Sequence, residues 1–352
     1  MKDHCQALVL EILCNTDNPA SAPGRTLWVM DENPAIDGIL KLNGSKSIDV
    51  ISNRYDTLEQ MAKLGINTVL SDFDFSELGI YQRIVYRISK EKMLTYHVIN
   101  EALRHLTSDG ILYVTGEKTD GIKSITKQVA ELYEFDETAR KFGNAYLAEF
   151  GRPSAAILDS KRLPTAGYTD LRVIKHPLMN FYSKPGVFGW EKVDKGSQLL
   201  VSCLPPVIQY MKGVESVLDL GCGWGYLMLA TQSIPIDVRV ATDNNVAAID
   251  AAKRNFSEAG MNVQCVVDDC ASQIRQRFDL ILCNPPFHQG FQVSDSLTEK
   301  FLKSATRLSR RSTRAIFVVN QFIPLQKLAE SYFKESRLLA SADGFNVFEL
   351  RP

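Results

Sequence analysis

Asn284, Pro285, Pro286 and Phe287 follow directly on an apolar run and stand downstream of a glycine-rich stretch, Asp219-Leu-Gly-Cys-Gly-Trp-Gly225. The first four suit one task. A side-chain amide oxygen and a proline carbonyl can accept hydrogen bonds from both hydrogens of an exocyclic amine, and an aromatic face beside them can stack on the ring that carries it. Gly221, Gly223 and Gly225 let the backbone pass close beneath a bound cofactor. Each pattern also has a plainer reading. Gly-x-Gly-x-Gly occurs in chains that bind nothing, and a double proline after a strand is often a rigid turn, because proline fixes φ and pushes its predecessor to extended geometry. In this order and spacing, the two patterns point to group transfer onto a planar amine.

The pairing resembles the class I methyltransferases that use S-adenosylmethionine (SAM), in the branch carrying Asn/Asp-Pro-Pro-Tyr/Phe. The flanks narrow the resemblance. Gly186-Val187-Phe188 ahead of Asp194-Lys-Gly-Ser-Gln-Leu-Leu200, then Asn284 to His288, then Val319-Asn320-Gln-Phe-Ile-Pro324, are similar to bacterial ribosomal RNA guanine-N2 methyltransferases, above all the small subunit methyltransferase C family. The matching segments run over roughly residues 180 to 350, with a weaker echo from Gly116 to Ser124. The resemblance implies an α/β protein of two tandem Rossmann-like class I methyltransferase domains, the N-terminal one degenerate. It implies methyl transfer from SAM to N2 of a guanine in 16S rRNA, with the 30S ribosomal subunit as partner. Asn284, Pro285, Pro286 and Phe287 would then meet the base, and Asp219 would lie near the methionine end of the cofactor. Three alternatives stay open: the sister large-subunit (23S) family, a protein-glutamine methyltransferase, which typically has tyrosine at the aromatic position, and a non-enzymatic RNA-binding assembly factor.

These residues need strands to carry them. Val214 to Leu220 is a short apolar run, and a helix-forming segment starts at Tyr226, giving strand, tight loop and helix. Val238 to Asp243 reads as the next strand, and its terminal carboxylate can accept both ribose hydroxyls. An alanine-rich helix from Val246 to Glu258 should stop at Gly260. Val263 to Val267 then delivers Asp268 and Asp269, the latter assigned to the adenine amino group. A nicotinamide-cofactor reading fits less well, because the longer G-x-G-x-x-G spacing is missing. Arg307, Arg310, Arg311 and Arg314 form a basic cluster expected near the site as phosphate contacts, although such runs are commonly solvated faces. His288 is assigned an RNA-contact or structural role rather than that of proton acceptor.

The two halves read as distant copies. Gln82 to Ser89, Val98 to Leu106 and Gly110 to Gly116 are strand, helix and strand, and Phe278 to Cys283, Phe301 to Leu308 and Arg314 to Val319 repeat that order. The second copy carries about seven extra residues, where Asn284 to Gly290 lies. The first copy has Arg87-Ile-Ser-Lys90 in place of Asn-Pro-Pro-Phe, and no glycine loop follows Asp31, so it should bind no SAM. Expected boundaries are a first domain over 1–165 that positions RNA or supports folding, a linker over 166–184 within a proline-marked stretch, and a catalytic domain over 185–352.

Length and charge agree with this. A chain of 352 residues can form two cores, and a net charge of −1 directs any RNA affinity to a local patch. Seven cysteines without a C-x-x-C pair, and five histidines without ligand spacing, suggest neither disulfides nor metal. Cys222 and Cys283 read as packing residues. The N-terminus shows no signal-like segment, so a cytoplasmic, monomeric protein without membrane or metal partners is the expectation.

Overall fold

The computed structural model describes residues 3–14, 24–30, 38–177, 179–211, 213–286, 288–289, 292–293 and 295–352. The chain divides into two compact units, Met1–Thr169 and Asp170–Pro352.

The first unit contains α1 (His4–Cys14), β1 (Thr26–Val29), β2 (Ile48–Ser52), α2 (Tyr55–Lys63), β3 (Asn67–Leu70), β4 (Tyr81–Arg87), α3 (Lys92–Arg104), β5 (Leu106–Glu117), α4 (Ile122–Tyr133), β6 (Arg140–Phe142), β7 (Ala145–Gly151) and α5 (Ala155–Ser160). Its sheet runs β3-β2-β1-β4-β5-β7-β6, parallel from β3 to β5 and antiparallel at β7 and β6. Helix α4 shows why the elements pack as they do. Ile122, Ile125, Thr126, Val129, Ala130 and Tyr133 recur at the helical period and are all buried, while the opposite face stays wet.

The second unit begins with a hairpin, β8 (Arg172–Ile174) and β9 (Phe181–Ser183), and continues α6 (Lys195–Gln209), β10 (Ser216–Leu220), α7 (Tyr226–Leu229), β11 (Val238–Asp243), α8 (Val246–Glu258), β12 (Gln264–Val267) and β13 (Phe278–Cys283). A second hairpin, β14 (His288–Gln289) and β15 (Gln292–Val293), precedes α9 (Asp295–Arg307), β16 (Ser309–Asn320), α10 (Leu325–Ala329), β17 (Glu335–Ala342) and β18 (Phe345–Arg351). The large sheet runs β12-β11-β10-β13-β16-β18-β17, the same order as in the first unit. Central strands such as β10 are buried at every position, as parallel strands covered on both faces must be. Helix α8 ends in a Schellman motif: Gly260 has φ 64°, its N–H reaches Ser257 O, and Met261 N–H reaches Phe256 O.

The repeat extends to strand register. Tyr81 pairs with Leu106 and Arg83 with Ile111 across an irregularity, as Phe278 pairs with Ser309 and Leu280 with Arg314. Four residues separate β4 from α3 and eleven separate β13 from α9, so the extra length of the second copy lies between strand and helix.

One boundary is corrected. Residues 166–184 were expected to be a linker because prolines punctuate the region. Instead, Tyr168 is fully buried in the first core, with its hydroxyl donating to Asp72 Oδ1 at 2.9 Å, and Phe181 is fully buried in the second. The prolines lie within the two units, and the division falls between Thr169 and Asp170.

Candidate active site

The C-terminal ends of the parallel strands of the second sheet carry the polar residues, where open α/β sheets place their ligands. The glycine loop follows β10. Gly221, Gly223 and Gly225 have φ of 79°, 54° and 95°, a region closed to most side chains. Their reasons differ. A Cβ on Gly225 would lie 2.6 Å from Phe256 Cζ, so this glycine lets α8 pack against the loop, whereas a Cβ on Gly223 would meet nothing within 4 Å. Trp224 is pinned by stacking on Phe181 at 3.8 Å between centroids and by Asn255 Nδ2, which donates to its carbonyl at 2.8 Å.

Two carboxylates hold the loop. Asp243 ends β11; its Oδ2 accepts the Gly223 N–H and its Oδ1 the Asn245 N–H, both at 2.9 Å. Asp219 is fully buried, and its Oδ2 accepts the Met228 N–H at 3.0 Å, capping α7 in place of a glycine that has no side chain to do so. Its Oδ1 is buried without a hydrogen-bond partner among the described residues. Burial pushes the Asp219 carboxyl up to about 7, with the nearby Asp243 charge acting in the same direction and the Met228 N–H opposing. An orphaned acidic oxygen beside open, left-handed glycine backbone fits the cationic amino-acid portion of SAM.

Asn284 follows β13 and shares one cleft with Gly221, Gly223, Phe188, Asp194 and Ser197. Its Nδ2 donates to Asp194 Oδ2 at 2.9 Å and to Ser197 Oγ at 2.8 Å. Its Oδ1 is buried with no partner among the described residues. The amide therefore offers an acceptor to whatever enters the cleft. Pro285 is buried and Pro286 exposed; Phe287 lies outside the described residues, as does the side chain of His288, whose backbone belongs to β14.

Asp194 and Ser197 were quoted from the sequence as part of a motif but given no role. Their signal was the Asp-x-x-Ser spacing at a helix start: Asp194 N-caps α6 through the Ser197 N–H at 2.8 Å. Phe188, more than half exposed on the cleft, was likewise quoted without a role.

Asp269 follows β12 at the same end of the sheet, next to Asp268, whose N–H donates to Asp243 O at 2.9 Å, and it is ion-paired with Lys300. The arginine cluster is corrected outright: it does not lie near the site. Ser309 pairs with Phe278 and Arg314 with Leu280, so Arg310, Arg311 and Arg314 lie toward the start of β13, whereas Asn284 follows its end. Arg307 donates to the carbonyls of Ala271 and Ile274 at 2.6 Å, Arg310 pairs with Asp279 at 3.0 Å, and Arg314 pairs with Glu349 at 2.9 Å. Arg311 is exposed. Burial drives the Cys222 and Cys283 thiols well above their ordinary range, which leaves neither a nucleophile. Among the described residues no three His, Cys, Asp or Glu side chains gather as a metal site, and no helix is long and apolar enough to cross a membrane.

The first unit keeps the sheet and loses these groups. By register, Trp28 stands where the second unit has Asp219, Ser52 where it has Asp243, and Arg87 where it has Asn284. Arg87 is paired with Asp3 at 2.7 Å, and a guanidinium accepts no hydrogen bond. Asp31 lies outside the described residues.

The seven-stranded order of the second sheet, the left-handed glycine loop and the amide acceptor beside it define a class I SAM-dependent methyltransferase. A ribosomal RNA small subunit methyltransferase C from Erwinia tasmaniensis is 31% identical over 270 residues, covering 75% of this chain and 74% of the relative. The chain belongs to the ribosomal RNA small subunit methyltransferase C family. A Haemophilus influenzae protein of the same name is 27% identical, covering 80% of this chain and 82% of its own. The family models "Methyltransferase small domain" and "Methyltransferase small domain N-terminal" match residues 178–349 and 24–146. The solved structure of a T. thermophilus 16S rRNA N2 G1207 methyltransferase, in complex with AdoMet and guanosine, shares the fold: TM-score 0.82, 21% identity, covering 99% of this chain and 92% of that one.

Proposed function

We propose that this chain transfers a methyl group from SAM to the exocyclic N2 of one guanine in 16S rRNA, acting on the 30S particle as a cytoplasmic monomer. The observation that carries the reading is the buried Asn284 Oδ1, without a partner among the described residues, lining one cleft with the glycine loop. The names of the family relatives supply the RNA.

SAM supplies a methyl group on a good leaving group, so the protein's tasks are positioning and exclusion of water. Gly221, Gly223 and Gly225 would give backbone room for it, Asp219 Oδ1 would receive its ammonium, and the Asp243 carboxylate would receive ribose hydroxyls. Asn284 Oδ1 and the Pro285 carbonyl accept the two N2 hydrogens. This draws the nitrogen lone pair out of conjugation and stabilises the positive charge that develops there. Phe287 stacks on the base, and water takes the released proton. Asp269 is assigned to the adenine amino group, which requires Lys300 to give way. The first unit, without the three polar groups, positions RNA or supports its partner's folding.

Purified 30S particles from a strain lacking the gene, incubated with labelled SAM and this protein, should gain one N2-methylguanine on mass mapping. Labelling of 50S particles instead would assign the large-subunit substrate; labelling of neither would overturn an RNA substrate.

A further inference from the structure

A terminal amide has two ends of similar shape and opposite chemistry, and only one of them can receive the hydrogens of an amine. Turned by half a rotation, Asn284 would face the substrate nitrogen with its own N–H groups. Something must decide between the two orientations. Ser197 cannot, because its hydroxyl donates as readily as it accepts. Asp194 can. Its carboxylate accepts only, and Oδ2 receives both the Asn284 Nδ2 at 2.9 Å and the Ser197 N–H at 2.8 Å.

We propose that Asp194 is a positioning residue that locks the Asn284 amide with its oxygen toward the substrate, and that this lock sets the preference for bases bearing an exocyclic amine. The inference rests on the reading of Asn284 given above. The lock is built into the start of α6. The carboxylate that caps the helix is the one that orients the amide, so the helix holds the acceptor in place. Space is kept for it two residues on, where a Cβ on Gly196 would lie 3.1 Å from Asp194 Oδ2 and 2.8 Å from Phe345 Cδ1. That Asn284 Oδ1 has no partner among the described residues is the product of this arrangement.

Two substitutions separate orientation from folding. In Asp194→Asn the Ser197 N–H still draws an oxygen to the same place, so the cap and the lock both survive. In Asp194→Ser the helix keeps a good capping residue, but the hydroxyl is too short to reach the amide and can donate as well as accept. The full-length proteins are compared for turnover on 30S particles, SAM affinity by calorimetry, melting temperature, and competitive inhibition by guanosine against inosine, which lacks the N2 amine. Asp194→Ser should lower kcat on the order of tenfold to a hundredfold and bring the guanosine to inosine ratio toward one, with SAM affinity and melting temperature little changed. Asp194→Asn should restore both. A serine variant with wild-type kcat and nucleoside ratio would overturn the lock, as would a loss confined to SAM affinity, which would make Asp194 a cofactor contact. Wild-type protein that labels no 30S particle faults the substrate assignment instead; the nucleoside ratio still judges the lock.

Discussion

Asp243 Oδ2 accepts the Gly223 N–H at 2.9 Å, so the acid ending one strand holds the glycine loop that ends its neighbour. Asp243→Ala should therefore weaken SAM binding by about 1 to 3 kcal/mol, through loss of hydrogen bonds to an ionised acceptor and of the loop's anchor. Asp243→Asn can keep the Gly223 contact through its amide oxygen and should fall between. Calorimetric titration checks both, and unchanged affinity in the alanine variant would remove Asp243 from the cofactor site.

Asn284→Ala should abolish most transfer, on the order of a hundredfold or more in kcat, while SAM affinity stays near that of the wild type. In the proposed function the amide meets the base and not the cofactor. Single-turnover kinetics beside calorimetry give both values; a variant with near-normal turnover would rule out the acceptor role.

The buried Asp219 makes SAM binding pH-dependent. Its folded-state value, about 7, stands above the ordinary 3.8, so between those values the cofactor-free protein should hold a proton that the unfolded chain has released. Stability from this group is full below the unfolded value and falls as pH rises through the folded one. SAM favours the ionised form through its ammonium, so its affinity should rise from pH 6 to 8 with release of a proton. In Asp219→Asn, which can still cap α7, that rise should disappear. Calorimetry in buffers of different ionisation enthalpy detects the proton.

One SAM should bind per chain. Trp28, Ser52 and Arg87 hold the register positions of Asp219, Asp243 and Asn284, and none of the three supplies a carboxylate or an amide oxygen. Equilibrium dialysis giving two sites per chain would show that the first unit binds by other means.

The legible parts of the molecule were those written in local pattern. Buried parallel strands read as apolar runs, so β10, β11 and β13 were found to within a residue or two, and the helix ending at Gly260 declared its stop. The insertion after β13 was legible because the halves could be aligned on one another. What could not be read depends on pairing between distant residues. Asn284 meets Asp194 from ninety residues away. The arginines after α9 looked close to Asn284 along the chain, yet β16 runs parallel to β13, so residues at its start lie opposite the beginning of β13. Nothing in the spacing of the prolines from 153 to 185 told that Tyr168 and Phe181 enter separate cores.

Gly225 carries a consequence for genetics. The side chain it lacks would strike Phe256 Cζ at 2.6 Å, in helix α8. A Gly225→Ala allele should thus lose function through a collision between the loop and α8, and Phe256→Leu should act as its partial second-site suppressor. Suppression would stop short of the wild type because the left-handed φ of 95° still strains an alanine. No such suppressor should arise for Gly223→Ala, whose added methyl group meets no side chain within 4 Å. Alleles two codons apart in one motif would then belong to different classes, one reverted by repacking and the other only by restoring the glycine.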